Sequence, residues 1–215
     1  MPDMRTDDLI RAIAEDGAAH RPSLVGRLAV ALLAGGSVAV VLFALFLGVR
    51  PDIGSALHTW RFVFKVLIAL LAYALALWAC ARLTQPQVAA RDTLAGLVAA
   101  PVLLAAAVGY ELLTVSPADW YARALGSNSR VCLVAIPLLS LAPLAGALAA
   151  LRVGAPRSPG TAGAVAGWMA GTLAATLYAV HCPDDSPLFV AVWYSAAVAI
   201  VSLLGAIAGR RALQW

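Results

Sequence analysis

Leu28–Val49 reads LAVALLAGGSVAVVLFALFLGV, 22 residues without a charge. At about 1.5 Å of rise per residue, a helix of that length covers the ~30 Å hydrocarbon core of a bilayer. Working outward, five more apolar runs follow: Phe62–Ala81, Leu94–Val115, Val131–Leu151, Ala164–Val180 and Leu188–Ala208. Glycine and proline inside these runs (Gly35, Gly36, Pro101, Pro137, Pro143) do not argue against helices, because membrane helices tolerate both. The spacing predicts an all-α integral membrane protein with six transmembrane helices in a bundle. Its parts are a polar tail over 1–27, a membrane domain over 28–208 and a short tail over 209–215.

Composition agrees. The chain has 215 residues, 62% hydrophobic and only 12% charged, with a mean hydropathy of +0.88. A soluble domain carries about twice that charge. The net charge of +4 is scattered between apolar runs and forms no stripe, so direct nucleic-acid binding is not expected. No cleavable signal peptide is expected, since the first 27 residues are polar and the first apolar run is too long. Nothing resembles a nucleophile–base arrangement, a phosphate-binding glycine loop or a dinucleotide fingerprint, so the chain does not read as an enzyme.

Orientation follows from the arginines. Ten (Arg5, Arg11, Arg21, Arg27, Arg82, Arg91, Arg152, Arg157, Arg210, Arg211) fall on one side of the six runs, and Arg50, Arg61, Arg123 and Arg130 fall on the other. The positive-inside bias makes the first side cytoplasmic, with both termini inside. The outer loops are then Arg50–Arg61, Ser116–Arg130 and His181–Pro187, with Trp60, Trp120, Tyr121 and Trp193 near the outer interface.

The tail carries one helical signal. Thr6 can cap a helix with Asp7 and Asp8 in its first turn. Leu9, Ile10 and Ile13 recur at helical spacing. Five acids against four arginines suit a protein partner better than anionic lipid; a tail without a partner is the alternative. Glycines four apart (Gly163, Gly167, Gly171; Gly205, Gly209) allow close helix approach; packing within the bundle is the first reading of both sets and a homo-oligomer face the alternative.

Chemistry-bearing residues gather on the outer side. Cys132 opens the fourth run, His181 and Cys182 follow the fifth, Asp184 and Asp185 share their loop, and His58 lies in the first outer loop. Two thiolates with imidazoles and carboxylates would suit a zinc-like or heavier, softer cation. The two cysteines could equally form a structural disulfide, act as a redox pair or be unrelated buried residues. Cys80 lies at the inner end of the second run and reads as a core residue. Lys65 and Glu111 are ionisable groups inside apolar runs. They are expected either to pair with each other or to hold the outer loops.

His181-Cys182-Pro183-Asp184-Asp185-Ser186-Pro187, Trp193-Tyr194 and the terminal Gly209-Arg210-Arg211-Ala212-Leu213-Gln214-Trp215 resemble the end of NrsF-type proteins. Thr6-Asp7-Asp8-Leu9-Ile10, Arg50-Pro51-Asp52 and Arg61-Phe62-Val63-Phe64-Lys65 are similar to the first third of that family. The resemblance implies a six-helix inner-membrane anti-sigma factor. Such a protein holds an extracytoplasmic-function sigma factor at the membrane and releases it under heavy-metal or oxidant stress. It also implies that Cys132 and Cys182 are the signalling cysteines and that the sigma factor docks on Thr6–Ala19. The rivals from other classes are a membrane thiol-disulfide oxidoreductase, which would usually carry a CxxC pair that is absent here, and a metal- or heme-binding membrane protein using His181 and His58.

Overall fold

The computed structural model describes Thr6, Ile10 and residues 24–83, 90–154, 156 and 158–213; every regular element among them is helical. The order is α1 (Leu24–Phe46), α2 (Ile53–Ala56), α3 (Trp60–Leu83), α4 (Ala90–Gly96), α5 (Ala99–Thr114), α6 (Pro117–Leu125), α7 (Ser129–Arg152), α8 (Pro159–Ala179), α9 (Pro187–Phe189) and α10 (Ser195–Ala212). A π-helical segment, Val190–Tyr194, joins α9 to α10 without a break.

Among the described residues, five stretches are long and apolar enough to cross a membrane: Val25–Phe46, Trp60–Leu83, Thr93–Thr114, Pro117–Arg152 and Pro187–Ala212. The fifth expected run is the exception. Its helix, α8, is 21 residues long but rich in glycine, alanine and threonine, and it falls outside that group. Its position accounts for this. Thirteen of its residues are buried, and it packs on α10, α3 and α7 at the centre of the bundle. A helix ringed by other helices meets little lipid, so close packing rather than hydrophobicity selects its side chains.

The α8/α10 seam shows that selection directly. A Cβ on Gly163 would run into the carbonyl of Gly205, and a Cβ on Gly167 into that of Val201. The glycine stripe is thus consumed inside the bundle. A second close approach joins α1 to α7, where a Cβ on Gly35 would lie 2.8 Å from Ala142 O and from Pro143 Cα. Pro143 lacks a backbone donor, so the helix is already loosened where the two backbones meet.

Two departures from the expected layout concern the third run, near the end expected to face the cytoplasm, and the second expected outer loop. The third run is divided: α4 stops at Gly96 and α5 restarts at Ala99. The second outer loop folds into α6, with Pro117 in its first turn and its end at Gly126, φ 58°. Two buried clusters fill the bundle. The inner one centres on Leu151, Met169 and Val201, the outer one on Ile136, Tyr178, Phe189 and the thiols of Cys132 and Cys182.

Candidate functional site

The loop His181–Pro187 closes the end of the bundle expected to face out and touches most of its helices. Cys182 is fully buried, and its carbonyl accepts from Lys65 Nζ at 2.7 Å and from Arg50 Nη1 at 3.3 Å. Asp185 then binds both cations. Its carboxylate takes Arg50 Nη1 at 2.9–3.0 Å and pairs with Lys65 Nζ. Arg50 also grips Asp52 in a two-pronged pair, Nε to Oδ1 and Nη2 to Oδ2, both 2.7 Å. The Asp52 hydrogen bonds raise the guanidinium above its ordinary range and hold the Asp52 carboxyl below its own. Lys65 is 0% exposed, Arg50 8% and Asp185 17%, so the Asp185 pairs sit largely out of water, whereas Asp52 lies at the exposed rim.

Asp184 does different work. Its carboxylate accepts the backbone N–H of Ser127 at 3.0 Å and of Asn128 at 2.8 Å, just ahead of α7. A helix start leaves its first N–H groups without partners and favours negative charge, so a carboxylate from a distant loop fits there. Gly126 makes room for it. A Cβ at that glycine would lie 2.8 Å from Asp184 Cγ and collide with the Phe189 ring.

Glu111 anchors the third side. It is 0% exposed, and its Oε1 lies 3.3 Å from Arg61 Nε and 3.4 Å from Arg123 Nη1. The Arg61 contact is an ion pair without hydrogen-bond alignment. Oε2 accepts Ser186 Oγ at 2.7 Å and Leu188 N at 3.3 Å. Lys65 and Glu111 therefore do not pair with each other; each holds an outer loop, the second of the two expectations. Four cations and four carboxylates balance around one seven-residue loop.

The two cysteines lie beneath this lid. Both are 0% exposed, both are free thiols, and both belong to the outer buried cluster with Ile136, Tyr178 and Phe189. Burial pushes the Cys182 thiol up, and Lys65 opposes the shift. The remaining expected ligands are engaged or remote. His181 Nδ1 meets Gly48 O at 3.0 Å, and His58 is exposed after α2. Among the described residues, no three of the His, Cys, Asp and Glu types gather as a metal-binding group. In this conformation the expected set of Cys132, Cys182, His181, Asp184, Asp185 and His58 offers two thiols in one buried cluster and, among the described residues, no assembled shell. Cys80 is a free thiol in the inner core cluster.

The expected docking residues Asp7, Asp8, Leu9 and Ile13 lie outside the described residues. Ile10 is helical and 60% exposed. Sequence reasoning missed the centre of the site. Sequence order gives Arg50 and Arg123 as topology charges, with Arg50 also part of the family resemblance, and it points to neither Ser127 nor Asn128. The Arg50-Pro51-Asp52 triplet was the one local signal for Arg50.

Comparison with known proteins accords with this geometry. No solved structure matches the chain. The "Anti-sigma-F factor NrsF" of Caulobacter vibrioides is 38% identical over 216 residues, covering 99% of this chain and all of that protein. The "Probable anti-sigma-F factor NrsF" of Azospira oryzae is 32% identical over 214 residues, with coverage of 99% and 100%. The family profile described as "Negative regulator of sigma F" matches residues 13–215, and the chain belongs to this NrsF family of regulatory, non-enzymatic anti-sigma factors.

Proposed function

We propose that this protein is a six-span inner-membrane anti-sigma factor whose Cys132–Cys182 pair is the stress sensor. Both termini face the cytoplasm, and the tail around Asp7, Asp8, Leu9, Ile10 and Ile13 captures an extracytoplasmic-function sigma factor. The observation that carries the sensing half is the burial of two free thiols, from separate helix ends, beneath one ion-paired loop. The relatives' names as anti-sigma-F factors support the partner class.

The ion pairs suggest how a signal does work. A two-state protein responds to a ligand only through its different affinity for the two states. A soft metal ion held by both sulfurs gains further ligands only if Asp185, Asp184 or His181 leaves Arg50, Lys65, the α7 start or Gly48. Oxidation of the pair gives up two protons and two electrons to the oxidant and draws the two helix ends to disulfide distance. Either event trades the resting ion-pair network for a new arrangement of α7, α8 and the loop. That change travels down α7 and α8 toward their other ends, on the side where the docking tail is proposed to act.

The test is sigma-factor capture and release in the native host. Cys132→Ser and Cys182→Ser should each retain the sigma factor under cadmium or peroxide stress. The double variant should be no worse than either single, because one shared interaction is lost. Deletion of residues 1–20 should abolish capture while insertion persists. A serine variant that releases normally sinks the sensor reading; capture that survives the deletion moves the docking site to the inner loops.

A further inference from the structure

The third expected span stands away from the α8/α10 pair along its middle. It is held at its ends: Glu111 ties the outer end to Arg61, Arg123 and Ser186, and Gly96 lies against the Trp78 ring at the inner end. Between the span and the α8/α10 pair run two cavities of about 630 and 680 Å³ that share Pro101, Trp168 and Ser202. Together they make one lateral trench, mostly apolar, from Arg210 at its inner mouth to Tyr194 beside the cysteine cluster. Each cavity is large enough for a small-molecule ligand.

Its inner mouth is polar. The Arg210 side chain lies along Gly160, where an added Cβ would come within 3.0 Å of Nε. Among the described residues, no carboxylate pairs with Arg210. The hydroxyls of Ser158 and Thr161 share a 2.8 Å hydrogen bond and line the same mouth. A cation with no carboxylate partner among the described residues, and two hydroxyls, stand over an apolar slot that opens sideways from a membrane-embedded bundle. That polarity matches an amphiphile with an anionic head.

We propose that the trench binds one anionic phospholipid. Its phosphate sits at Arg210, Ser158 and Thr161, and an acyl chain runs past Trp168 toward Tyr194. Close packing disfavours an empty apolar gap of this size, and lipid is the surrounding solvent. The charge at the mouth selects the headgroup. Because Glu111 carries the third span's outer end into the sensing loop, the lipid wedges apart two elements that both reach that loop. The site stands independently of the thiol-sensing reading.

The test uses the full chain in detergent, with dioleoyl phosphatidylglycerol or dioleoyl phosphatidylcholine added and bound lipid counted by native mass spectrometry. The wild type should retain one phosphatidylglycerol, about fivefold in preference to phosphatidylcholine, the effect of one interfacial cation. Arg210→Gln should bring that preference close to unity. Ala105→Phe and Ala199→Phe, at small exposed positions along the trench, should displace both lipids while helical circular dichroism is unchanged. Equal retention of the two lipids by the wild type overturns the proposal. So does undiminished retention in the filled variants, which marks annular lipid. A dimer dissociated by Ala199→Phe assigns the trench to a second copy of the chain instead.

Discussion

The carboxylate of Asp184 accepts the backbone N–H of Asn128 at 2.8 Å, so the loop that bears Cys182 caps the helix that bears Cys132. Cys132 N in turn donates to Asn128 O at 2.9 Å. The two cysteines are therefore linked through one helix start. Loss of a helix cap costs about 0.5–2 kcal/mol. Asp184→Ala should lower stability in detergent by that amount, read as a fall in the thermal midpoint. Asp184→Asn keeps an acceptor and should cost less. Equal midpoints for wild type and alanine variant would show that the contact does not cap α7.

The Asp185 cluster should be less forgiving. Removing one partner of a buried pair leaves uncompensated charge and costs about 3–5 kcal/mol. Asp185→Asn strips the carboxylate from both Lys65 and Arg50. We expect a strongly destabilised protein with a low folded yield. Lys65→Met in the same chain should recover part of the loss, because the deepest unpaired charge is then gone. Additive losses in this double-mutant cycle would count against the pairing.

Much of this layout was legible beforehand, for a physical reason. Lipid imposes length and polarity on each span, so Leu28–Val49 and Val131–Leu151 point to helices observed at Leu24–Phe46 and Ser129–Arg152. The burial of Lys65 and Glu111 near the loops follows from the cost of charge in hydrocarbon. The choice of partners did not. Arg50 meets Asp185 across 135 positions, and Ser127 meets Asp184 across 57, separations that no local pattern encodes. The π-helical turn at Val190–Tyr194 was equally hidden, since its residues are as apolar as their neighbours. The glycines of α8 and α10 pointed to close packing, but only the seam itself shows which backbone each one faces.

That seam makes its own prediction. Gly205→Val places branched carbon against the backbone of Gly163 and Gly167. Overpacking of this kind costs about 1–3 kcal/mol. The outcome should be lower thermal stability in the monomer, with no change in oligomeric state by size-exclusion chromatography. A shift in oligomeric state without loss of stability would place the stripe on an outer face.

The outer rim should show a modest acid dependence. Arg50 holds the Asp52 carboxyl below its ordinary range in the folded protein. A carboxyl depressed on folding contributes stability above its unfolded pKa of about 3.9. That contribution is lost as pH falls through the folded value. Asp52 is 55% exposed, so solvent screens the pair and the effect is small. Asp52→Asn should leave the midpoint at pH 7 nearly unchanged and flatten its decline on acidification. An unaltered acid decline would assign that loss to other carboxylates.

Thiol reactivity offers the most direct view of the lid. Cys132 and Cys182 are both 0% exposed, and burial keeps Cys182 in its poorly reactive thiol form at neutral pH. A membrane-impermeant maleimide applied to intact spheroplasts should therefore label the resting protein slowly. Reaction then waits for local opening, whose free energy is set by the contacts that close the loop. Arg50, Lys65 and Asp185 supply those contacts around the carbonyl of Cys182. Arg50→Gln frees the contacts to Asp185, Asp52 and the Cys182 carbonyl but leaves Lys65 paired with Asp185, so the fold should survive while the lid loosens. We expect labelling of Cys182 to accelerate about tenfold in that variant, the equivalent of about 1.4 kcal/mol in opening. Cys80, in the inner cluster, should stay unlabelled in both proteins. The sign of the change separates the alternatives. Faster labelling confined to Cys182 and Cys132 ties exposure to the ion-paired loop. Equal rates in wild type and Arg50→Gln would mean that the thiols are reached by a route the loop does not guard, and labelling of Cys80 alone would invert the topology.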